Sequence, residues 1–211
     1  MTTEDIWHRW RASYQTDEAK SLVEDGVGDE VGYRSSQPRL LVVLKETNRR
    51  GGKYDGVKLT DQLRKGAKYT VWHRVAEWAA GFHHGFPPYS EVAQQSVKDE
   101  ALRGIAAINL KKIPGTATAS STTIDAYAFR DRLLLREQLD ELDPTVILCC
   151  GTFNPMCWLL ESRISSEMGL HKVVTIDNGA KLIKWDHPSR RGRNKREWYA
   201  DLAATWRDCL T

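Results

Sequence analysis

The chain has 211 residues, a formal net charge of +3, 41% hydrophobic and 28% charged residues. These are ordinary values for a globular domain with a substantial core, and they argue against a disordered or collagen-like chain. So mild a charge names no partner by itself; where the charges sit matters more.

The first residues are acidic early and lack a long apolar run, unlike a secretory leader, and no apolar run reaches the length of a membrane span. Ile6, Trp7, Trp10 and Tyr14 recur at three and four residues and predict an amphipathic helix. Residues 24–37, rich in Gly, Asp, Glu and Ser, read as a loop. Leu40 to Leu44 are apolar without a break, which predicts a strand buried on both faces. It ends in Lys45-Glu46-Thr47-Asn48, followed by Arg49, Arg50, Gly51 and Gly52. A polar stretch then runs to Lys68. Val71, Val75, Trp78, Ala79 and Phe82 mark a helix face with Gly81 near its end. Phe86-Pro87-Pro88 is a breaker, and residues 90–103 predict a short helix.

Ile105 to Leu110 predict a second buried strand, ending in Lys111, Lys112, Ile113 and Pro114-Gly115. A polar loop covers Thr116 to Thr123. Tyr127, Ala128, Leu135, Leu139 and Leu142 predict one long helix, ended by Asp143-Pro144. Thr145 to Cys150 predict a third buried strand, closed by Gly151, and Phe153, Cys157, Leu160 and Ile164 a helix face. Val173–Ile176 reads as a short strand, Asp177-Asn178-Gly179 as a tight turn, and Leu182–Trp185 as the next strand, with Asp186-His187-Pro188-Ser189 at its end. Trp198, Leu202, Trp206 and Leu210 form the final helix face.

Most of the eight tryptophans fall at helical spacing, so packing is their default role. The four cysteines show no C-x-x-C spacing and read as reduced, mostly buried thiols of a cytoplasmic protein. His83 and His84 are adjacent and point apart, so they do not form a metal pair. The pattern predicts a single α/β domain over 1–211, with an N-terminal helix and loop over 1–38 and a core over 39–210. Alternating strands and helices predict a three-layer α/β/α sandwich around a mainly parallel, four- to five-stranded sheet.

In such a sheet the ligand sits outside the carboxyl ends of the strands. Four polar clusters then meet on one edge: Lys45 to Asn48, Asn109 to Pro114, Gly151 to Asn154, and Asp186 to Ser189. In their order and spacing these segments resemble the uracil-DNA glycosylase superfamily, over roughly residues 39–210. That family has a strand ending in the catalytic motif, a second ending in an Asn-containing motif, a Leu-rich helix and Pro before a strand ending in Gly, and a final His-Pro-Ser. Lys45 stands where the family's first motif usually starts with Gly, and Thr47 where several branches carry Asp or Asn. The cysteine spacing of the family's iron–sulfur branch is lacking.

The resemblance implies hydrolysis of the N-glycosidic bond of a flipped base in DNA. Glu46 would stabilise the sugar cation and activate water; its alternative is an ion pair with Lys45 or Arg49. His187 would donate to the base oxygen as charge develops there, and is otherwise a structural strand end. Asn109 would read a pyrimidine edge, and is otherwise a capping or turn residue; Thr47, Asn48, Phe153 and Ser189 would complete the substrate site, with Phe153 alternatively a core residue. Arg190, Arg191 and Arg193, with Arg49 and Arg50, would contact phosphates, or form a solvated run. No metal or redox cofactor is expected, and the expected state is a monomer. One rival is an inactive nucleic-acid- or nucleotide-binding module of the same fold, favoured by Lys45 and Thr47. Another is an enzyme acting on free nucleosides or nucleotides.

Overall fold

The computed structural model describes residues 3–48, 58–115, 119–161 and 173–209. Arg49, Arg50, Gly51, Gly52, Lys53, Ile164, Leu210 and residues 116–118 of the expected polar loop lie outside them. In chain order the elements are α1 (Thr3–Ala12), α2 (Thr16–Ala19), β1 (Gly26–Val27), α3 (Glu30–Ser35), β2 (Leu40–Leu44), α4 (Leu59–Lys65), α5 (Thr70–His84) and α6 (Tyr89–Val92). They continue with α7 (Gln95–Arg103), β3 (Ala106–Asn109), α8 (Ser121–Arg130), α9 (Arg132–Leu142), β4 (Val146–Cys150), α10 (Phe153–Leu159), β5 (Val173–Thr175), β6 (Lys181–Trp185) and α11 (Lys195–Asp208).

The strands form one open, mixed sheet in the order β1-β3-β2-β4-β6-β5. Strands β3, β2, β4 and β6 run parallel, and β1 and β5 pair antiparallel at the two edges. The sheet therefore has six strands rather than four or five. The extra strand is β1, two residues long, which lies inside the segment expected to be a loop. Strand β5 turns back on β6 through the expected tight turn, where the Ile176 amide donates to the Ala180 carbonyl at 3.0 Å.

Alternation along the central strands builds two cores, because successive side chains point to opposite faces. Leu40, Val42 and Leu44 pack with Val75, Trp78, Leu102, Trp198 and Leu202 of α5, α7 and α11. Leu41 and Val43 pack with Trp7, Trp10, Ile124, Leu135 and Met156 of α1, α8, α9 and α10. Helices thus cover both faces. Trp78 anchors the first core, edge-on to Trp198 at 5.1 Å and to Trp185 at 6.1 Å.

Several expected boundaries move for local reasons. Within residues 24–37, Asp29 caps α3 by accepting from the Val31 and Gly32 amides, as an N-cap aspartate does. The polar stretch before Lys68 contains α4, held by buried Leu59 and Leu63. Helix α5 runs past Gly81 to a left-handed cap at Gly85 (φ 70°). Gly81 is kept small by packing: a Cβ there would lie 2.7 Å from the Phe86 ring. The expected short helix over 90–103 is two helices, α6 and α7. The expected single helix over 127–142 breaks at Asp131, whose carboxylate accepts from Tyr14 Oη at 2.6 Å and from the Arg130 guanidinium at 2.8 and 3.0 Å. No helix among the described residues is long and apolar enough to cross a membrane.

Candidate functional site

Because the four central strands are parallel, the ends of β2, β3, β4 and β6 meet on one edge. The exits of β2 and β3 stay paired beyond the strands. The Leu110 amide donates to the Leu44 carbonyl at 3.0 Å, Lys111 to Lys45 at 3.0 Å and Gly115 to Thr47 at 2.8 Å. Asn48 forms a further bridge with Gly115.

Glu46 lies inside this paired segment. Its side chain is 7% exposed and meets the ammonium of Lys111, itself 8% exposed, at 2.5 Å. Among the described residues its ion-pair partner is thus Lys111 rather than the expected Lys45; Arg49, the other expected partner, lies outside them. The carboxylate rests on Gly115, where a Cβ would fall 1.9 Å from Glu46 Oε1, so any side chain at 115 would have to displace the carboxylate. Lys111 also lies 5.3 Å from the Tyr127 ring centre. Thr47 and Asn109 are joined, with Asn109 Nδ2 donating to Thr47 Oγ1 at 3.1 Å.

Next to them is a buried charge cluster. Asp25 and Lys112 are fully buried and meet at 2.8 Å. Gln138 bonds both of them, at 2.9 and 2.8 Å. Asp25 also accepts the backbone amide of Asn109 at 2.8 Å. Burial pushes the Lys112 ammonium down from its ordinary range, opposed by Asp25. Trp10 and Trp7 flank that ammonium at 5.0 and 5.7 Å. This cluster anchors the exit of β3 and is the structural reason Asn109 sits where it does.

At the end of β4, Thr152 Oγ1 donates to the Val43 carbonyl at 2.9 Å. Gly151 (φ 72°) turns the chain, and the Lys45 side chain passes over it, 3.2 Å from where a Cβ would stand. His187 borders the same glycine, with its Cβ 3.6 Å from that position. Burial, and next the charge of Lys45, push the His187 imidazole down to about 4, so it is neutral near pH 7. The Ser189 amide donates to His187 Nδ1 at 3.2 Å, and Ser189 Oγ lies 2.8 Å from the same nitrogen. Nδ1 is therefore an acceptor, and the ring proton resides on Nε2. His187 is a neutral Nε2–H donor.

Between these strand ends and α8 lies a cleft of about 250 Å³, walled by Lys45, Gly151, Phe153, Asn154, Lys184, Asp186, Asp125 and Ser121 among others. Phe153, for which core packing was the alternative, does both: it is one of the cleft walls and is packed against the core of that face, with Lys184 Nζ 6.0 Å from its ring centre. Glu46, Thr47, Asn109 and His187 are not among its lining residues. The expected base site between Glu46, Asn109 and His187 thus resolves into two neighbouring parts: the bonded β2–β3 exits, and an open cleft with His187 beside Gly151 at its border.

No protein-family model matches the chain, and no curated protein matches it either.

The arginine run after His-Pro-Ser is partly engaged. Asp186 takes Arg190 at 2.6 Å and Arg193 at 3.1 Å, and Arg193 also meets Asp201. Arg191 is exposed. Arg74 holds the loop from below, donating to the Pro188 carbonyl and, at 2.8 Å, to that of Arg190. With Asp186 neutralised by two arginines, the cleft keeps Lys45 and Lys184 as cations and Asp125, exposed on α8, as its carboxylate. Among the described residues no three His, Cys, Asp or Glu gather as a metal site. Lys184 was legible in the sequence, a charge interrupting the apolar Leu182–Trp185 run. Asp125 and Ser121 carried no such signal, because α8 is brought to the cleft by tertiary packing.

Proposed function

We propose that the protein hydrolyses the N-glycosidic bond of a base turned out of DNA, with the base held in the cleft. The observation that carries this reading is His187: neutral, with its proton fixed on Nε2, beside the cationic Lys45 at the border of a cleft with an aromatic wall. When the bond from the sugar to the base nitrogen breaks, its electron pair goes to the base. A neutral donor and a nearby ammonium oppose that developing charge without prior proton transfer. Phe153 stacks on the base, and Asn154 offers donor and acceptor groups to its edge. The order of the four strand-end motifs, which resembles uracil-DNA glycosylases, supports the same reading, and the arginine run supplies phosphate contacts.

Water that adds to the sugar carbon must lose a proton to a carboxylate. Two carboxylates compete for that role. Glu46 was expected to fill it, but it is bound to Lys111 and almost fully buried. Asp125 lines the cleft. The role is assigned to Asp125, with Glu46 as the residue that holds Lys111 and the β2–β3 exits together.

The test is incubation with uracil-, hypoxanthine- and mismatch-containing oligonucleotides, followed by alkaline cleavage. His187→Ala and Asp125→Asn should each slow single-turnover excision by about a hundred-fold or more while binding is retained. A wild-type protein that binds these oligonucleotides and excises nothing replaces this reading with the binding module. The locked Glu46 and the reach of Lys45 across Gly151 are the observations that favour that second reading.

A further inference from the structure

Phe129 is 56% exposed and Trp158 40% exposed, yet the two rings lie together at 5.2 Å, inclined by 33°. Arg132 adds to them, its guanidinium carbon 4.8 Å from the Phe129 ring centre and its Nη1 donating to the Phe129 carbonyl at 3.0 Å. Exposed aromatics that cluster in this way mark interaction sites more often than single exposed residues do.

Their position is set by the cleft. Asp125 of α8 and Asn154 of α10 are cleft walls. Phe129 follows Asp125 by four residues, and Trp158 follows Asn154 by four. Four residues is about one helical turn on the same face, about 5–6 Å along the axis. Both helices therefore carry an aromatic ring one turn beyond the lip of the cleft, and those two rings touch.

We propose that the Phe129–Trp158 pair is a stacking platform for an unpaired base next to the one held in the cleft, in a single-stranded stretch of nucleic acid. The inference rests on the reading above for the base in the cleft and adds a second base site. Charge complementarity argues for a strand rather than an apolar protein segment. Arg132 lies on one of the rings, and Lys45 and Lys184 continue the cationic side into the cleft. Every nucleobase has a face that stacks on an aromatic ring, so such a platform is tolerant of sequence.

Tryptophan fluorescence of the full chain tests this. Trp158 is the one large exposed tryptophan among the described residues, so its emission should dominate any change caused by a surface ligand. Titration with a single-stranded oligothymidine should quench the wild type, and Trp158→Phe should lose most of that quench. Phe129→Ala and Trp158→Ala should each weaken binding by roughly ten-fold, with thermal melts only a few degrees lower because both rings are partly exposed. Full-strength binding without a Trp158-dependent quench overturns the platform and leaves the glycosylase reading in place. Failure to excise any base, with Trp158-dependent binding intact, overturns the glycosylase reading and leaves the platform. A wild type that binds no oligonucleotide removes both. Sedimentation that shows a dimer dispersed by Trp158→Ala, with oligonucleotide binding unchanged, assigns the surface to a second copy and overturns the proposal.

Discussion

Replacing Glu46 by Gln separates a structural carboxylate from a catalytic one. Both members of the Glu46–Lys111 pair are less than a tenth exposed. Removing the charge at 46 leaves the Lys111 ammonium buried without its counter-ion, and losses of this kind cost about 3–5 kcal/mol. Gln keeps the length of Glu and still offers an oxygen to Lys111 Nζ, and the Tyr127 face remains beside the ammonium. The loss should therefore sit at the low end, about 3 kcal/mol. For a chain of this size each kcal/mol shifts the melting temperature by about 2–4 °C, so Glu46→Gln should melt roughly 6–12 °C lower. Lys111→Met in the same background should recover much of this, since an apolar side chain of similar length removes the stranded charge. The four proteins make a double-mutant cycle, read by circular dichroism melts and urea titration. If Glu46→Gln melts within about 1 °C of wild type, the pair is not desolvated. The Glu46 carboxylate is then free for chemistry, and the assignment of the water-activating role to Asp125 loses its main argument.

Arg191→Gln should lower the slope of log affinity against log salt by about one, with an unchanged melt. An unchanged slope removes Arg191 from the interface. Replacing Arg190 or Arg193 should also loosen the loop, because they hold Asp186 and Asp201. Acid should destabilise the fold through two histidines. Burial, aided by His84 in the one case and Lys45 in the other, holds His83 and His187 near 4, against 6.5 for the free side chain. The unfolded chain takes up these protons first, so stability is full above about pH 6.5 and falls as the pH drops toward 4. Melts across that range should show the fall, and His83→Gln should reduce it; an equal fall in the variant refutes the assignment.

The central strands were legible because burial on both faces leaves an unbroken apolar run, as in Leu40–Leu44 and Val146–Cys150. Once those runs are placed parallel, the shared edge follows, and with it the grouping of Lys45 to Asn48, Asn109, Gly151 to Asn154 and Asp186 to Ser189. What escaped depends on distant residues. The break at Asp131 is made by Tyr14, far away in the chain. Helix α4 buries only Leu59 and Leu63, too few for a periodic signal. Edge strand β1 is too short to carry any pattern. Lys111 escaped as the partner of Glu46 because Lys45 is nearer in sequence, whereas the pairing of β2 with β3 delivers Lys111. The cleft wall from α8 was invisible for the same reason.

The Asp25–Lys112–Gln138 cluster also says how the candidate site should respond to heat. The hydration of charged groups becomes less favourable as temperature rises, so a pair already taken out of water is penalised less when hot. Apolar contacts gain no comparable advantage. The exit of β3, tied to Asp25 through the Asn109 amide, should therefore stay ordered to temperatures at which β5, at the opposite edge of the sheet, has begun to open, keeping one side of the candidate site in place while the far side loosens.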